Sequence, residues 1–242
     1  LLDRRALTLD ATTFLVLDEA DQMLDLGFIH SLHKIASLLP PERQTMLFSA
    51  TMPKQMSELS ASYLQNPVRV EVSPPGKAAD KITQSIHFIA KSEKPALLIE
   101  LIDKHRDQLA LVFSRTKHGA EKLKKTLEKA GFAADSVHGN KSQGQRDRAL
   151  RSFKSRQTKI LVATDVAARG LDIPDVRFVY NFDLPNVPEN YVHRIGRTAR
   201  AGASGAAVAF CAPEEIGELK AIHKTMGISI PVASGRPWED MD

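Results

Sequence analysis

The chain has 242 residues, 43% hydrophobic, 26% charged and 6% aromatic, which is the composition of an ordinary soluble globular protein with one large or two modest domains. A single cysteine, Cys211, excludes an internal disulfide framework and fits a reducing compartment, and no apolar run approaches the roughly 18 residues that span a bilayer. The net charge of +4 is unevenly spread: residues 1–80 carry 7 Lys/Arg against 10 Asp/Glu, leaving 26 against 19 for residues 81–242, an asymmetry that suggests a polyanionic partner for the second part.

Taken in order, "FLVLD" (14–18) reads as a buried strand that ends in the acidic cluster Asp18-Glu19-Ala20-Asp21. "HSLHKIASLL" (30–39) has helical periodicity, and "TMLFS" (45–49) is a second strand ending in Ser49-Ala50-Thr51. "SPPGKAADK" (73–81) is rich in Pro and Gly, separates two apolar segments and marks the change in charge balance, so it reads as an interdomain linker. Its Gly76-Lys77 is no phosphate loop, because it lacks the earlier glycine and the Ser/Thr that should follow the lysine. Beyond it, "KPALLIELIDKH" (94–105) and "GAEKLKKTLEKAG" (119–131) are helical, and "LALVFS" (109–114), "KILVATD" (159–165) and "RFVYNFD" (177–183) are strands. Strands alternating with helices, and apolar throughout, predict an α/β fold with parallel sheets covered on both faces.

Five of these strands end in polar clusters, and ligands of open α/β sheets lie outside the carboxyl ends of the strands. Asp18 and Glu19 suit a Mg²⁺ contact and a residue that orients or activates water; the plainer alternative is acidic complement to a helix N-terminus. In "YVHRIGRTARAG" (191–202), His193, Arg197 and Arg200 share a face if the segment is helical, which suits a nucleotide's phosphates, while Arg194 points to a different partner. Residues 146–159 hold six Lys/Arg and one acid, Asp147. There Leu150 and Phe153 anchor a helix whose Gln143 and Arg146 face a nucleic-acid backbone; with little aromatic interleaving, base stacking is not the expected mode. Thr164 offers a hydroxyl and backbone N–H groups to a phosphate, Gly170 permits close backbone approach, and Asp172 can accept from a ribose hydroxyl.

"LDEADQMLDLGF", "LFSATM", "LVFSRTKHGAEKL", "HGNKSQGQRDRAL", "LVATDVAARGLDIPDV", "YNFDLP" and "YVHRIGRTARAG" stand in the order seen in DEAD-box RNA helicases, and the chain resembles that family from Leu1 to about residue 230. "HGNKSQ" with "NFDLPNVPENYVHRIGRT" looks most like the bacterial RhlE-like branch; Ala199 stands where the family more often has glycine. The resemblance implies two RecA-like domains that share ATP and Mg²⁺, with RNA crossing both by sequence-independent backbone contacts, in a cytoplasmic protein with no membrane partner. It implies that Asp18 serves Mg²⁺ and Glu19 the attacking water. Asp21, His193, Ser49 and Thr51 would couple the domains, Gly170 and Asp172 would meet the nucleotide, and Arg197 and Arg200 its phosphates. Arg115, Gln143, Arg146 and Thr164 would meet RNA. It divides the chain into the end of a first RecA-like domain (1–72), a linker (73–82), a complete second domain (83–232) and a tail (233–242) open to protein partners. The family's phosphate loop is absent, so the expectation is a piece of a longer enzyme that cannot turn over ATP by itself. The alternative from another class is a non-catalytic RNA- or partner-binding module.

Overall fold

Apolar runs that close on polar turns produce parallel strands throughout the chain. The computed structural model describes residues 2, 4, 6–25, 27–49, 52, 54–71, 82–168, 173, 176–199 and 204–237. The backbone divides into two compact units, Leu1–Pro75 and Gly76–Asp242.

The first unit contains β1 (Phe14–Leu17), α1 (Ala20–Asp25), α2 (Ile29–Ala36), β2 (Gln44–Leu47) and α3 (Lys54–Tyr63). β1 and β2 pair in parallel, Phe14 opposite Gln44 and Leu17 opposite Leu47. Leu17, Leu32, Leu39, Met56, Leu59 and Tyr63 form its core. Alternation along β1 sends Phe14 and Val16 away from that core, and they are 65% and 52% exposed. The Tyr63 hydroxyl donates to the Leu32 carbonyl, and Arg43 donates to the carbonyls of Pro40 (2.6 Å) and Tyr63 (3.2 Å), which ties α3 to α2 and β2.

The second unit runs β3 (Ile82–Phe88), α4 (Lys94–Asp103), β4 (Ala110–Phe113), α5 (Lys117–Lys129), β5 (Ala134–Val137), α6 (Gln143–Lys154), β6 (Ile160–Ala163), α7 (Asp165–Ala168), β7 (Phe178–Asn181), α8 (Pro188–Ile195), β8 (Gly205–Cys211), a 3-10 turn (Pro213–Glu215), α9 (Ile216–Met226) and β9 (Val232–Ser234). The seven strands pair in parallel in the order β5-β6-β4-β7-β8-β3-β9. All four residues of β4 and of β6 are buried, because the sheet is covered on both faces. Val112, Val162 and Tyr180 pack against Leu98, Leu123 and Leu127 of α4 and α5. Leu111, Phe113, Leu161 and Val179 meet Ala149 and Phe153 of α6, and β3 and β8 meet Tyr191, Ile195, Leu219 and Ile222 of α8 and α9. Local chemistry sets the helix ends. Thr116 accepts from the Gly119 N–H, Ser142 and Gln145 form a reciprocal capping box, and Gly227 at φ +69° stops α9.

Two boundaries differ from the sequence reading. The expected linker 73–82 lies outside the described residues except for Ile82, which opens β3. The expected tail begins inside a strand: β9 pairs with β3, and Ser234 Oγ lies 2.7 Å from His87 Nδ1. Gly235, at φ +75°, passes so close that a Cβ there would fall 2.2 Å from the Phe88 carbonyl oxygen. Residues 238–242 lie outside the described part.

Candidate functional site

In the first unit the two strand ends are joined by backbone bonds. Phe48 N–H donates to Leu17 O (2.7 Å) and Ala20 N–H to Phe48 O (3.0 Å), so the Asp18–Asp21 turn and Ser49 lie side by side. Asp18 is exposed and its Oδ1 accepts from Glu19 N–H at 2.9 Å, while Asp21 is buried at the start of α1. Glu19 takes φ +50°, a left-handed conformation that costs a non-glycine residue about 1 kcal/mol or more and recurs at functional turns. Thr51 lies outside the described residues.

In the second unit the carboxyl ends of β4, β5, β6 and β7 are laced together. Ser114 N–H donates to Ala163 O (3.0 Å), Thr164 N–H to Val137 O (3.3 Å), and Asp183 N–H to Phe113 O (3.3 Å). Thr164 is buried, and its amide is already used in that bond, so the phosphate donors expected of it reduce to the hydroxyl. Arg146 Nη2 donates to Ala167 O (3.1 Å), which docks the start of α6 on the turn after Thr164, and its buried Nε has no partner among the described residues. Gln143 is exposed and donates through Nε2 to Asp147 (2.8 Å). Gly170, Asp172 and Arg200 lie outside the described residues.

The sequence placed His193, Arg197 and Arg200 along one helix; the helix ends sooner. α8 stops at Ile195, and Arg197 sits in the following turn, its N–H donating to Arg194 O (3.1 Å). The chain leaves the helix because Thr198 bridges to Val176 in parallel and its hydroxyl donates to the Val176 carbonyl. His193 is still on α8, half-buried. Ala199 follows at φ +58°, the left-handed region where a glycine would sit without strain.

Arg194 has the different partner expected of it. Only 2% exposed, it grips Asp165 in a two-pronged bond (2.6 and 2.7 Å), and donates to Asn181 Oδ1 (3.0 Å) and Asp183 O (2.7 Å). Arg115 is drawn into a neighbouring buried network. Its guanidinium donates to Leu184 O (3.0 Å) and lies 3.3 and 3.2 Å from Glu215 and Glu218. Lys94, 1% exposed, completes that network with Glu215 (2.5 Å) and the Phe182 carbonyl (2.8 Å). Lys94, Arg115 and Glu215 border a cavity of about 300 Å³ with Ser114, Thr116 and Phe182. Arg115, its side chain 33% exposed, thus also braces the strand-end turns from within the unit.

Sequence reasoning also missed Glu121 and His138. Asn140 N–H donates to His138 Nδ1 (3.3 Å), which leaves the ring proton on Nε2, 3.0 Å from Glu121 Oε2. Ser136 Oγ (2.8 Å) and Lys141 Nζ (3.1 Å) reach the same oxygen. The His138 hydrogen bond is the chief reason the Glu121 carboxyl is held down at about 2, with those of Ser136 and Lys141 adding to it against the effect of burial. The cluster fixes the 138–141 turn that delivers α6.

Comparison with known proteins gives this geometry a family. A DEAD/DEAH box helicase profile matches residues 1–59 and a Helicase conserved C-terminal domain profile matches residues 93–202. The DEAD-box ATP-dependent RNA helicase CshA of Geobacillus kaustophilus is 46% identical over 224 residues, covering 93% of this chain and 48% of that protein. The chain belongs to the DEAD-box RNA helicase family. ATP-dependent RNA helicase CshA of Listeria monocytogenes is 41% identical over 239 residues, 99% of this chain and 46% of that relative. The DEAD-box chain thus spans just under half the length of these relatives, and they establish the family without specifying an RhlE-like branch. Among solved structures, S. cerevisiae Dbp5 bound to RNA and ADP BeF3 matches with a TM-score of 0.86 at 31% identity, over 96% of this chain and 62% of that one. The E. coli DEAD-box protein SrmB, bound to regulator of ribonuclease activity A, matches at 0.60 and 32%, over 65% of this chain and 98% of that one. The fold is accordingly RecA-like: parallel sheet with flanking helices. No helix among the described residues is long and apolar enough to cross a membrane.

Proposed function

We propose that the protein to which these residues belong is an RNA-stimulated ATPase that couples hydrolysis to local separation of RNA duplexes. The observation that supports this reading is the pair of backbone bonds from Phe48 to Leu17 and Ala20, which brings the turn carrying Asp18 and Glu19 next to Ser49.

Asp18 would hold Mg²⁺. Its donor set fits: one exposed carboxylate with another next to it suits a cation that keeps several waters and takes its remaining ligands from phosphates. When bound, Mg²⁺ supplies neutralisation of charge on the transferred phosphoryl group. Glu19 orients the attacking water, and Arg197 and Arg200 stabilise the charge that develops on the phosphate oxygens, with no covalent intermediate. Gly170 and Asp172 meet the ribose side of the nucleotide. Gln143, Arg146 and the Thr164 hydroxyl grip the RNA backbone without reading bases, which matches the scarcity of aromatic residues around α6. Asp21 and His193 relay the nucleotide state between the units together with Ser49 and Thr51. The 73–82 linker and the first-domain assignment of 1–72 belong to the same reading, as does a cytoplasmic site of action.

The test is ATP hydrolysis and duplex separation by the full-length protein with RNA, with DNA and without nucleic acid. RNA stimulation is expected, and Glu19→Gln should lower kcat by about 10²–10⁴-fold while RNA binding persists. Turnover by Glu19→Gln at the unsubstituted rate, or no response to RNA, overturns the proposal; equal stimulation by DNA redirects it to a DNA-dependent motor.

A further inference from the structure

The α6 helix starts at the carboxyl edge of the sheet with the residues proposed to hold RNA and then runs down the flank of the unit, antiparallel to β5 and β6. Ala149 and Phe153 face the core. At about 100° per residue, Gln143, Asp147, Arg151 and Lys154 fall into one line on the solvent side, with Arg148 beside it. The line therefore begins at Gln143 and continues for about 16 Å along the axis. Its one acid, Asp147, already accepts from Gln143. Past the C-terminus, Arg156 is exposed and held at φ +62°.

Some cations of the neighbouring helices are matched within one turn, Lys104 at the end of α4 with Glu100 at 2.8 Å and Lys124 of α5 with Glu128 at 2.6 Å, whereas Lys122, Lys125 and Lys129 of α5 have no carboxylate partner among the described residues. Arg106 pairs with Asp103. On α6 and just beyond it, Arg148, Arg151 and Arg156 are all exposed and have no carboxylate partner among the described residues. Unmatched arginines gathered on one helix and its exit repel one another unless an anion answers them, and no exposed aromatic side chain stands among them to stack on bases.

We propose that this stripe is a second RNA-backbone track, which binds single-stranded RNA flanking the segment held at Gln143, Arg146 and Thr164. The inference rests on the RNA reading above and extends it from the edge of the sheet to the flank. The occupant is a polyanion with regularly spaced charges, and recognition is independent of sequence. The track adds affinity to long RNA, and a short RNA confined to the sheet edge gains nothing from it.

The experiment is equilibrium binding of the full-length protein to short and long oligouridylates over a range of salt concentrations, for the unsubstituted protein, R148A/R151A/R156A and R148K/R151K/R156K. Loss of three phosphate contacts lowers the salt slope for long RNA by about 2, since each single-strand contact contributes about 0.7. The alanine variant is expected to bind long RNA at least tenfold more weakly and short RNA as before, and the lysine variant to keep most of the long-RNA affinity. Unchanged long-RNA affinity and slope in the alanine variant overturn the track. So does an equal loss for short and long RNA, which would place the residues in the edge site or in folding. If the unsubstituted protein binds neither RNA, the underlying RNA reading fails instead, so the two failures are distinguishable.

Discussion

Removing Asp165 tests whether the second unit is organised around Arg194. In Asp165→Ala the guanidinium, 2% exposed, loses both bonds to the carboxylate (2.6 and 2.7 Å) and keeps only neutral acceptors, Asn181 Oδ1 and the Asp183 carbonyl. Breaking a buried ion pair from one side leaves an uncompensated charge and costs about 3–5 kcal/mol. For a unit of this size that is a fall of roughly 6–20 °C in its melting temperature. Arg194→Met should cost less, because it deletes the buried charge and leaves Asp165, whose side chain is 24% exposed, free to hydrate. The double variant should therefore lie close to Arg194→Met alone, with a coupling of about 2 kcal/mol or more. Thermal unfolding of the 242-residue chain gives the loss, and native-state amide exchange in β7 and α8 localises it. A loss below about 1 kcal/mol for Asp165→Ala, or strictly additive single variants, refutes the claim that this pair holds the strand ends together.

Ala199→Gly should stabilise the second unit by roughly 0.5–1 kcal/mol, since the left-handed strain at φ +58° outweighs the extra unfolded-chain entropy of glycine; a destabilised variant in the same melting assay would contradict the backbone geometry. The Glu121 carboxyl, held down at about 2, gives up its proton more readily when folded than when unfolded, so its contribution is complete above its ordinary 4.5 and is lost as pH falls towards 2. Urea midpoints followed from neutral to acid pH should accordingly fall more steeply for the unsubstituted chain than for Glu121→Gln, and parallel curves would exclude the effect. Burial, reinforced by Glu215, pushes the Cys211 thiol up to about 12, so iodoacetamide should label it only after unfolding; rapid labelling of the native chain would refute its burial. Gly235→Ala should release the β9 edge, because its Cβ would meet the Phe88 carbonyl oxygen at 2.2 Å; the check is faster amide exchange at Ile86, whose N–H donates to Pro231 O.

What was legible in the sequence follows from burial. β4 and β6 are apolar at every position because helices cover both faces, and such runs are readable in "LALVFS" and "KILVATD". β3 was missed because Thr83, Gln84 and Ser85 break its apolar run, and β5 because "ADSV" is four residues with two polar ones. β8 was missed because Gly205, Ala206 and Ala207 carry too little hydrocarbon to register. The acidic turn and the basic α6 were visible as composition. The Arg194–Asp165 pair was not, since its members are 29 residues apart and only the fold brings α8 to the end of β6. Helical spacing in "HRIGRTAR" misled for a similar reason: periodicity carries no trace of the Thr198 hydroxyl that ends the helix by bonding to Val176.

The position of β3 bears on how the second unit is made. It is the first strand of the unit to be synthesised, yet in the finished sheet it lies between β8 and β9, the last two. A nascent chain therefore carries Ile82, Ile86 and Phe88 without their sheet partners until residues 205–211 have left the ribosome, and without the outer edge until 232–234 follow. Strands β4 to β7 can assemble earlier, so closure of the sheet around β3 waits for β8 and β9. A ribosome stalled before Gly205 would hold a half-built sheet with an apolar leading strand, the form of this protein most in need of a chaperone.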